Sequence, residues 1–178
     1  MTIEIRYYNK EDAKDHCEAV KASLNALKTW FTWAKPDYCL CDSIKFIEEQ
    51  FCLPNVDKYE FAIIDEEDGQ FMGSCSLTRV KTYNGQRIAS MSYWRRQDSA
   101  KKHVASCAAN KLKNKAFHDY GIERIEIDIA DCNEYSRKVA YMIGAHPERN
   151  IQICGGDGKR HCGKRYVIWN ETTNAKQA

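Results

Sequence analysis

The order of the hydrophobic patterns restricts the fold of this chain more than any other feature of its sequence. Apolar residues alternate at residues 3–7, then recur at helical spacing over residues 13–27 and 44–51. Three strand-like runs follow, and Asn84 and Gly85 between the last two are a strong signal for a two-residue hairpin turn. The first half of the chain is therefore predicted to place antiparallel strands beside two helices.

The second half changes the topology, because a helical pattern separates two strands. This pattern runs from about residue 101 to residue 120, and a strand follows at residues 122–129. A crossover helix of this kind makes the flanking strands parallel. After a short helix, a closing hairpin completes an α/β fold of the α+β type: a mixed, mostly antiparallel sheet with helices on both faces. We expect residues 1–170 to form one domain and residues 171–178 a polar tail.

Composition narrows the functional classes. The 178 residues carry a formal net charge of +2, which is too small to indicate a nucleic-acid partner. No signal peptide and no apolar run of bilayer length is visible. The nine cysteines include no C-x-x-C pair, and a chain of this length can bury a core without disulfides. These features predict a cytoplasmic protein with free thiols and no membrane association.

Histidine and cysteine side chains do not suggest a metal site. Cys39 and Cys41 form one close pair, while Cys154 precedes His161 and Cys162 by a spacing that matches no standard zinc site. We therefore predict no metal, and no Ser-His-Asp or Cys-His arrangement is discernible. The basic residues between 159 and 165 are expected to form a solvated loop or to touch an acidic partner.

Six blocks of the sequence share their order and spacing with one known family. They are residues 27–38, 61–64, 69–74, 92–94, 124–127 and 133–144. Together they resemble RimJ/RimL-type members of the GNAT acetyltransferase superfamily, over residues 3–169. The resemblance implies acetyl-CoA as donor and an amine, often a protein α-amine, as acceptor. It also implies that the strands ending at Trp94 and Ala130 are neighbours that splay apart, with the helix from about residue 101 crossing between them.

The resemblance assigns the CoA pyrophosphate to the loop before that helix, where the family carries G-x-G. Here Lys101 and His103 occupy the glycine positions, and left-handed backbone costs a non-glycine residue about 1–2 kcal/mol. Basic residues crowd a helix start, where cations oppose the helix dipole. A bound anion would offset this repulsion, and it could be the CoA pyrophosphate or the carboxylates or phosphates of a partner. The alternative is a basic patch that is simply solvated. The implied cofactor contacts are Tyr93, Trp94, Arg95, Arg96, Lys101, Lys102, His103, Val104 and Asn133.

Two carboxylates and one hydroxyl are the catalytic candidates. Glu126 and Asp128 alternate with three isoleucines, so they share the strand face that borders the acceptor groove in GNAT enzymes. Glu126 is the first candidate for the base that takes a proton from an amine, directly or through water, and Asp128, one pleat further along, is the second. A solvated strand face, or pairing with Arg124, is the alternative. The resemblance places Asn133 and Ser136 near the pantetheine arm and the sulfur, where Ser136 would protonate the leaving thiolate; Asn133 also suits a helix cap.

Aromatic residues around a proline are predicted to contact the acceptor. In the family this region walls the acceptor site, which gives Trp33 and Tyr38 a substrate-binding role; core packing is the alternative. Two functions follow. One is an acetyl-CoA-dependent N-acetyltransferase acting on a protein N-terminus or a small-molecule amine. The other is a catalytically inactive GNAT scaffold that binds a protein partner, of the immunity or antitoxin type. The sequence favours the enzyme.

Overall fold

Strands and helices follow the order that the hydrophobic pattern predicts. The computed structural model describes residues 2–51, 57–99 and 102–170. The strands in this part are β1 (Ile3–Arg6), β2 (Tyr59–Asp65), β3 (Phe71–Tyr83), β4 (Gln86–Arg95), β5 (Arg124–Ala130), β6 (His146–Cys154) and β7 (Arg160–Trp169). The α-helices are α1 (Ala13–Trp30), α2 (Leu40–Glu49), α3 (Val104–His118) and α4 (Glu134–Met142). The predicted polar tail, residues 171–178, lies outside the described residues.

One sheet contains all seven of these strands, in the order β1-β2-β3-β4-β5-β7-β6. Every neighbouring pair is antiparallel except β4 and β5, which are parallel. These two strands pair only from Ile88 opposite Arg124 to Ser90 opposite Glu126. Beyond Ser90 they separate, and α3 connects them. The mixed, mostly antiparallel sheet and its splayed parallel pair are therefore as predicted.

Helices cover both faces of the sheet, each over its own apolar cluster. On one face α3 and α4 pack on the sheet, with Leu112 and Ile125 fully buried between the layers. On the other face α1 and α2 cover a second cluster that includes Val20 and Ile47. Alternation of side chains along the strands divides the sheet residues between the two clusters. The second face matters for function, because α1 and α2 leave space above the sheet there.

Two helix starts are fixed by hydrogen bonds from side chains to the backbone. Asn133 Oδ1 accepts the backbone N–H of Ser136 at 3.1 Å and so caps α4. Asp42 also contributes to the start of α2, but from the third helical position, where it accepts the N–H of Cys39 at 2.9 Å. These local bonds set where each helix begins.

Close contact between β3 and the end of β4 depends on Gly73. This residue has φ = +144°, and a Cβ atom there would lie 2.2 Å from the carbonyl oxygen of Trp94. The neighbouring N–H of Arg96 donates to the carbonyl of Met72 at 2.7 Å. Only glycine lets the two backbones approach this closely. Gly73 thereby sets the position of the strand end that carries Trp94 and Arg95.

The turn between β6 and β7 is held against the end of α1. Gly156 donates its N–H to the carbonyl of Thr29 at 2.9 Å, and a Cβ on Gly156 would lie 2.5 Å from the carbonyl oxygen of Phe31. The solvated basic loop expected at residues 159–165 is wrong for all of these residues except Lys159. Strand β7 begins at Arg160, and Arg165 pairs opposite Asp128 on β5, with its side chain only 16% exposed.

Two further expectations concern membranes and thiols. No helix in the described part of the chain is long and apolar enough to cross a bilayer. The eight cysteines in that part are all free, as predicted, while Cys52 lies outside it. No group of three or more described His, Cys, Asp or Glu side chains has the arrangement of a metal site.

Candidate functional site

A cavity of about 370 Å³ opens where β4 and β5 separate. The second halves of both strands line it, together with the end of α1, the start of α4 and Ile153 of β6. Its polar lining residues are Ser92, Arg95, Gln97, Asp128, Asn133 and Ser136. The structure thus brings residues from four separate parts of the sequence to one cleft, which we call the splay cavity.

Six of the predicted site residues line the splay cavity, and Asp128 does so from β5. Tyr93, Trp94 and Arg95 line it from β4, and Asn133 and Ser136 line it from the start of α4. Val104 is fully buried in the first turn of α3. The lining of the splay cavity does not include the other described candidates, which are Glu126, Arg96, Lys102, His103, Val104, Trp33 and Tyr38.

The start of α4 is fixed to β4 across the mouth of the splay. Tyr93 donates its hydroxyl to the backbone carbonyl of Ser136 at 3.0 Å. Burial raises the pKa of Tyr93, so this hydroxyl stays protonated as a donor. Together with the Asn133 cap, this bond holds Ser136 beside the cavity. The position of Ser136 is therefore determined by two independent hydrogen bonds.

The two candidate carboxylates differ in their access to the cavity. Asp128 lines it, and Arg165 donates to both of its oxygens at 2.7 and 2.8 Å. Glu126 lies one pleat away, with its side chain 14% exposed, and is held by Arg124 at 2.8 Å and Arg165 at 2.7 Å. Glu126 therefore forms the ion pair with Arg124 that was the alternative to a catalytic role. The sequence analysis missed Arg165, whose role depends on the register between β5 and β7.

The helix start assigned to the pyrophosphate has the backbone geometry that glycine usually supplies. His103 stands at φ = 64°, in the left-handed region, as the N-cap of α3, and its side chain makes no capping hydrogen bond. The Ser106 hydroxyl donates to the His103 carbonyl at 2.9 Å. Lys101 lies outside the described residues, and Lys102 is exposed. Because histidine and not glycine occupies position 103, this left-handed backbone costs strain energy.

The two arginines at the end of β4 have different partners. Arg96 forms an ion pair with Asp98 at 2.6 Å, and its side chain is 16% exposed. Arg95 lies with its guanidinium 5.4 Å from the centre of the Tyr135 ring, and it lines the splay cavity. Of these two predicted cofactor contacts, Arg95 is therefore the one directed at the cleft.

A second cavity, of about 390 Å³, lies beneath the connection between α1 and α2. Trp33 and Tyr38, the predicted acceptor contacts, both line it. Phe31, Ser92 and Trp94 line this cavity and the splay cavity alike. Tyr38 is 7% exposed and Trp33 40% exposed, so the first belongs to the inner wall and the second to the mouth. We call this space the aromatic cavity.

A row of polar side chains forms the floor of the aromatic cavity. Glu60, Ser76 and Ser92 occupy matching positions on β2, β3 and β4, and all three line the cavity. The hydroxyls of Ser76 and Ser92 lie 2.7 Å apart. Glu60 pairs with Lys58 at 3.2 Å, and burial raises its pKa. The sequence analysis missed this row; its signal was the alternation of polar and apolar residues on three consecutive strands.

Another polar group in the aromatic cavity is His16, enclosed by aromatic rings. Its ring stacks on Phe46 at 5.2 Å between centroids, and its Nδ1 lies 2.9 Å from the Ser43 hydroxyl. Burial lowers the pKa of His16 from 6.5 to about 4. The imidazole is therefore neutral at physiological pH and serves as a packed hydrogen-bonding group.

We expect His16 to make the protein less stable in acid. The unfolded chain takes up the proton at about pH 6.5, whereas the folded chain resists it until about pH 4. The free energy of unfolding therefore falls between these two values by roughly 3 kcal/mol and is unaffected by His16 above about pH 7. Urea denaturation at pH 7.5, 5.5 and 4.5 measures this. The variant His16→Gln keeps a polar group but does not titrate, so parallel pH profiles for the two proteins would contradict the prediction.

Comparison with known proteins agrees with this architecture. Residues 2–146 match the family model described as an acetyltransferase (GNAT) domain. The fold is similar to a ribosomal-protein-S5-alanine acetyltransferase from Vibrio fischeri, with a TM-score of 0.82 at 15% identity over 96% of this chain and 94% of that one. RimJ from Mycobacterium smegmatis, in complex with CoA-disulfide, gives 0.83 at 20% identity over 96% and 83%. Spermidine N-acetyltransferase from Vibrio cholerae, in complex with CoA and spermine, gives 0.75 at 15% identity over 94% and 95%. No curated protein matches the sequence.

Proposed function

The chain belongs to the GNAT acetyltransferase family, and on that premise we propose that it is an acetyl-CoA-dependent N-acetyltransferase. Its acceptor in this proposal is the amine of a protein N-terminus or of a small molecule. The observation that carries the proposal is the splay cavity, where Asp128, Asn133 and Ser136 surround the space between two diverging parallel strands. A cleft with these groups suits the transfer of an acyl group to an amine.

The residues around the splay fit acetyl-CoA. Backbone N–H groups in the first turn of a helix favour phosphate, and the N-cap side chain of α3 makes no capping bond that would compete with one. His103 holds the left-handed backbone that the loop needs, and Lys102 and Arg95 add positive charge nearby. In this proposal α3 holds the pyrophosphate and Asn133 and Tyr93 border the pantetheine arm. When bound, acetyl-CoA supplies an acetyl thioester that an amine can attack.

Two side chains of the chain itself would handle protons. Asp128 lies in the cavity wall, and Arg165 fixes both of its oxygens, so a proton from the acceptor ammonium would reach it through a water molecule. Ser136 lies in the first turn of α4, where its hydroxyl can give a proton to the departing thiolate. The positive end of the α4 dipole favours negative charge at that place.

The acceptor has a second space available beside the splay. Because Ser92 and Trp94 line both cavities, an acceptor whose body occupies the aromatic cavity can present its amine at the junction. Trp33 and Tyr38 would then contact the acceptor, as the resemblance implies. The similar structures include one acetyltransferase named for a ribosomal-protein alanine and another named for spermidine, so both acceptor classes remain in the proposal.

Calorimetric titration with acetyl-CoA tests the proposal. We expect the wild type to bind, and Arg95→Gln and Lys102→Gln each to weaken binding by about 2–5-fold, the effect of 0.3–1 kcal/mol for a charge near an anion at a helix end. Added salt should weaken binding, since exposed charges are screened. Lys14→Gln, an exposed change on α1, is the matched control and should bind like the wild type. No binding by the wild type at millimolar acetyl-CoA would favour the inactive scaffold instead.

A further inference from the structure

Two turns that are far apart in sequence bring a cysteine, a histidine and an aspartate together. Cys132 follows β5, and its Sγ lies 3.9 Å from Nδ1 of His161, the second residue of β7. The other ring nitrogen of His161, Nε2, lies 3.1 Å from Oδ1 of Asp157 in the turn between β6 and β7. The sequence analysis discerned no arrangement of this kind, because 29 residues separate the thiol from the imidazole.

The aspartate determines which nitrogen of the ring faces the sulfur as an acceptor. Asp157 accepts a backbone hydrogen bond from Lys159 at 3.0 Å, and this bond and the contact with His161 lower the pKa of its carboxyl. An ionised carboxylate can only accept a hydrogen bond, so the ring proton lies on Nε2, which donates to Asp157, and Nδ1 carries the lone pair directed at Cys132. The order of groups is thus thiol, base and orienting carboxylate, the order found where a side chain is activated as a nucleophile.

Packing holds the histidine and the aspartate in this arrangement. The ring of Trp30 lies 5.4 Å from the ring of His161 and covers it. A Cβ on Gly155 would lie 2.5 Å from Oδ1 of Asp157, 2.7 Å from the Thr29 carbonyl and 2.9 Å from Nε2 of His161. The turn is therefore closely packed against α1 around the imidazole–carboxylate pair. Cys132, by contrast, is exposed and open to a reagent from solvent.

We propose that Cys132 is an activated thiol and that the cluster of Cys132, His161 and Asp157 is a modification site for low-molecular-weight disulfides. His161 takes the thiol proton on Nδ1, and the Cys132 thiolate attacks one sulfur of the disulfide. The S–S bond of the reagent breaks as the new S–S bond to Cys132 forms. The departing thiolate takes the proton from His161. The disulfide is the oxidant, and one thiol is released for each Cys132 modified.

The site borders the splay cavity but does not depend on the acetyltransferase proposal. Trp30, which covers His161, lines that cavity, and so does Asn133, the residue after Cys132. A group attached to Cys132 would lie at this border. The thiol chemistry itself needs neither acetyl-CoA nor an acceptor amine, so it can be measured on the protein alone.

The test compares two exposed thiols in the same folded chain. The full-length protein is exposed briefly to hydroxyethyl disulfide, a neutral reagent, at pH 7, and the adduct at each cysteine is quantified by peptide mass spectrometry. Cys154 is the matched internal control, since it is exposed at the end of β6. We expect Cys132 to react at least about 10-fold faster than Cys154, because thiolate and not thiol is the nucleophile.

Two variants test whether His161 and Asp157 cause the faster reaction of Cys132. His161→Asn should reduce the rate at Cys132 to that of Cys154, and Asp157→Asn should reduce it by a smaller factor, since the imidazole loses its orientation but remains. Melting temperatures identify a variant that fails to fold, and in that case His161→Gln takes its place with the same expected rate. Equal rates for the two wild-type cysteines, or an unchanged Cys132 rate in a folded His161→Asn variant, would overturn the proposal.

Discussion

Replacing Asp128 by asparagine is expected to lower kcat for amine acetylation by about 10²-fold or more, the usual contribution of a general base. The substitution keeps the shape of the side chain and removes its capacity to take a proton. Because Asp128 lines the splay cavity from β5 and the cofactor phosphates would bind at α3, the Kd for acetyl-CoA should change by no more than about twofold. Steady-state kinetics and calorimetry on the same preparation separate the two quantities.

Glu126→Gln is the matched control for that experiment. Glu126 shares the strand face and contacts the same Arg165, but it does not line the cavity. Its loss should therefore affect turnover far less than the loss of Asp128, and melting temperatures should show whether either variant disturbs the ion pairs. Equal loss in both variants would mean that the arginine network, rather than proton transfer at Asp128, limits the rate. Unchanged turnover in both would remove the base assignment.

Gly73→Ala is expected to lower the free energy of unfolding by about 3–5 kcal/mol, the sum of backbone strain and overpacking. The added Cβ would lie 2.2 Å from the carbonyl oxygen of Trp94. This oxygen belongs to the backbone and the Cβ is bonded directly to a backbone atom, so neither atom can rotate away. The end of β4 must then shift, so the affinity for acetyl-CoA should fall as well. Chemical denaturation and calorimetry measure the two effects.

Gly69→Ala separates crowding from backbone preference. Gly69 also has positive φ, at +72°, but nothing lies within 4 Å of the place where its Cβ would stand. This variant should cost only about 1–2 kcal/mol, the ordinary penalty of a left-handed residue. Equal destabilisation by the two alanines would show that the close contact between β3 and β4 contributes nothing beyond the φ preference.

The features that could be predicted from the sequence are those that depend on residues close together in the chain. The helical pattern at about residues 101–120 predicted one parallel pair, and this pair is the splay of β4 and β5. Alternation along β5 was enough to put Glu126 and Asp128 on one face. It could not distinguish them, because Glu126 lies opposite Ser90 at the last paired position of β4 and β5, whereas Asp128 lies where the two strands have separated. The cytoplasmic location stays a prediction.

The parts that sequence reasoning missed depend on contacts between distant segments. Ser76 and Ser92 lie side by side because of the register of the β3–β4 hairpin. The aromatic cavity exists because α1 and α2 leave space between themselves and three strands. His103 adopts a left-handed conformation that is usual only for glycine, because the tertiary structure outweighs a local penalty of about 1–2 kcal/mol. Cys132 and His161 come together only because β7 pairs with β5.

The position of Trp94 has a consequence for how the proposed donor and acceptor would affect each other's binding. Its side chain belongs to the walls of both cavities, so a ligand that shifted the indole from one side would alter the space on the other. Thermodynamic linkage requires the effect to be reciprocal: if the donor raises the affinity for the acceptor by some factor, the acceptor raises the affinity for the donor by the same factor. Under the proposed function, one indole would thereby couple the occupancies of the two cavities to the same extent whichever ligand binds first.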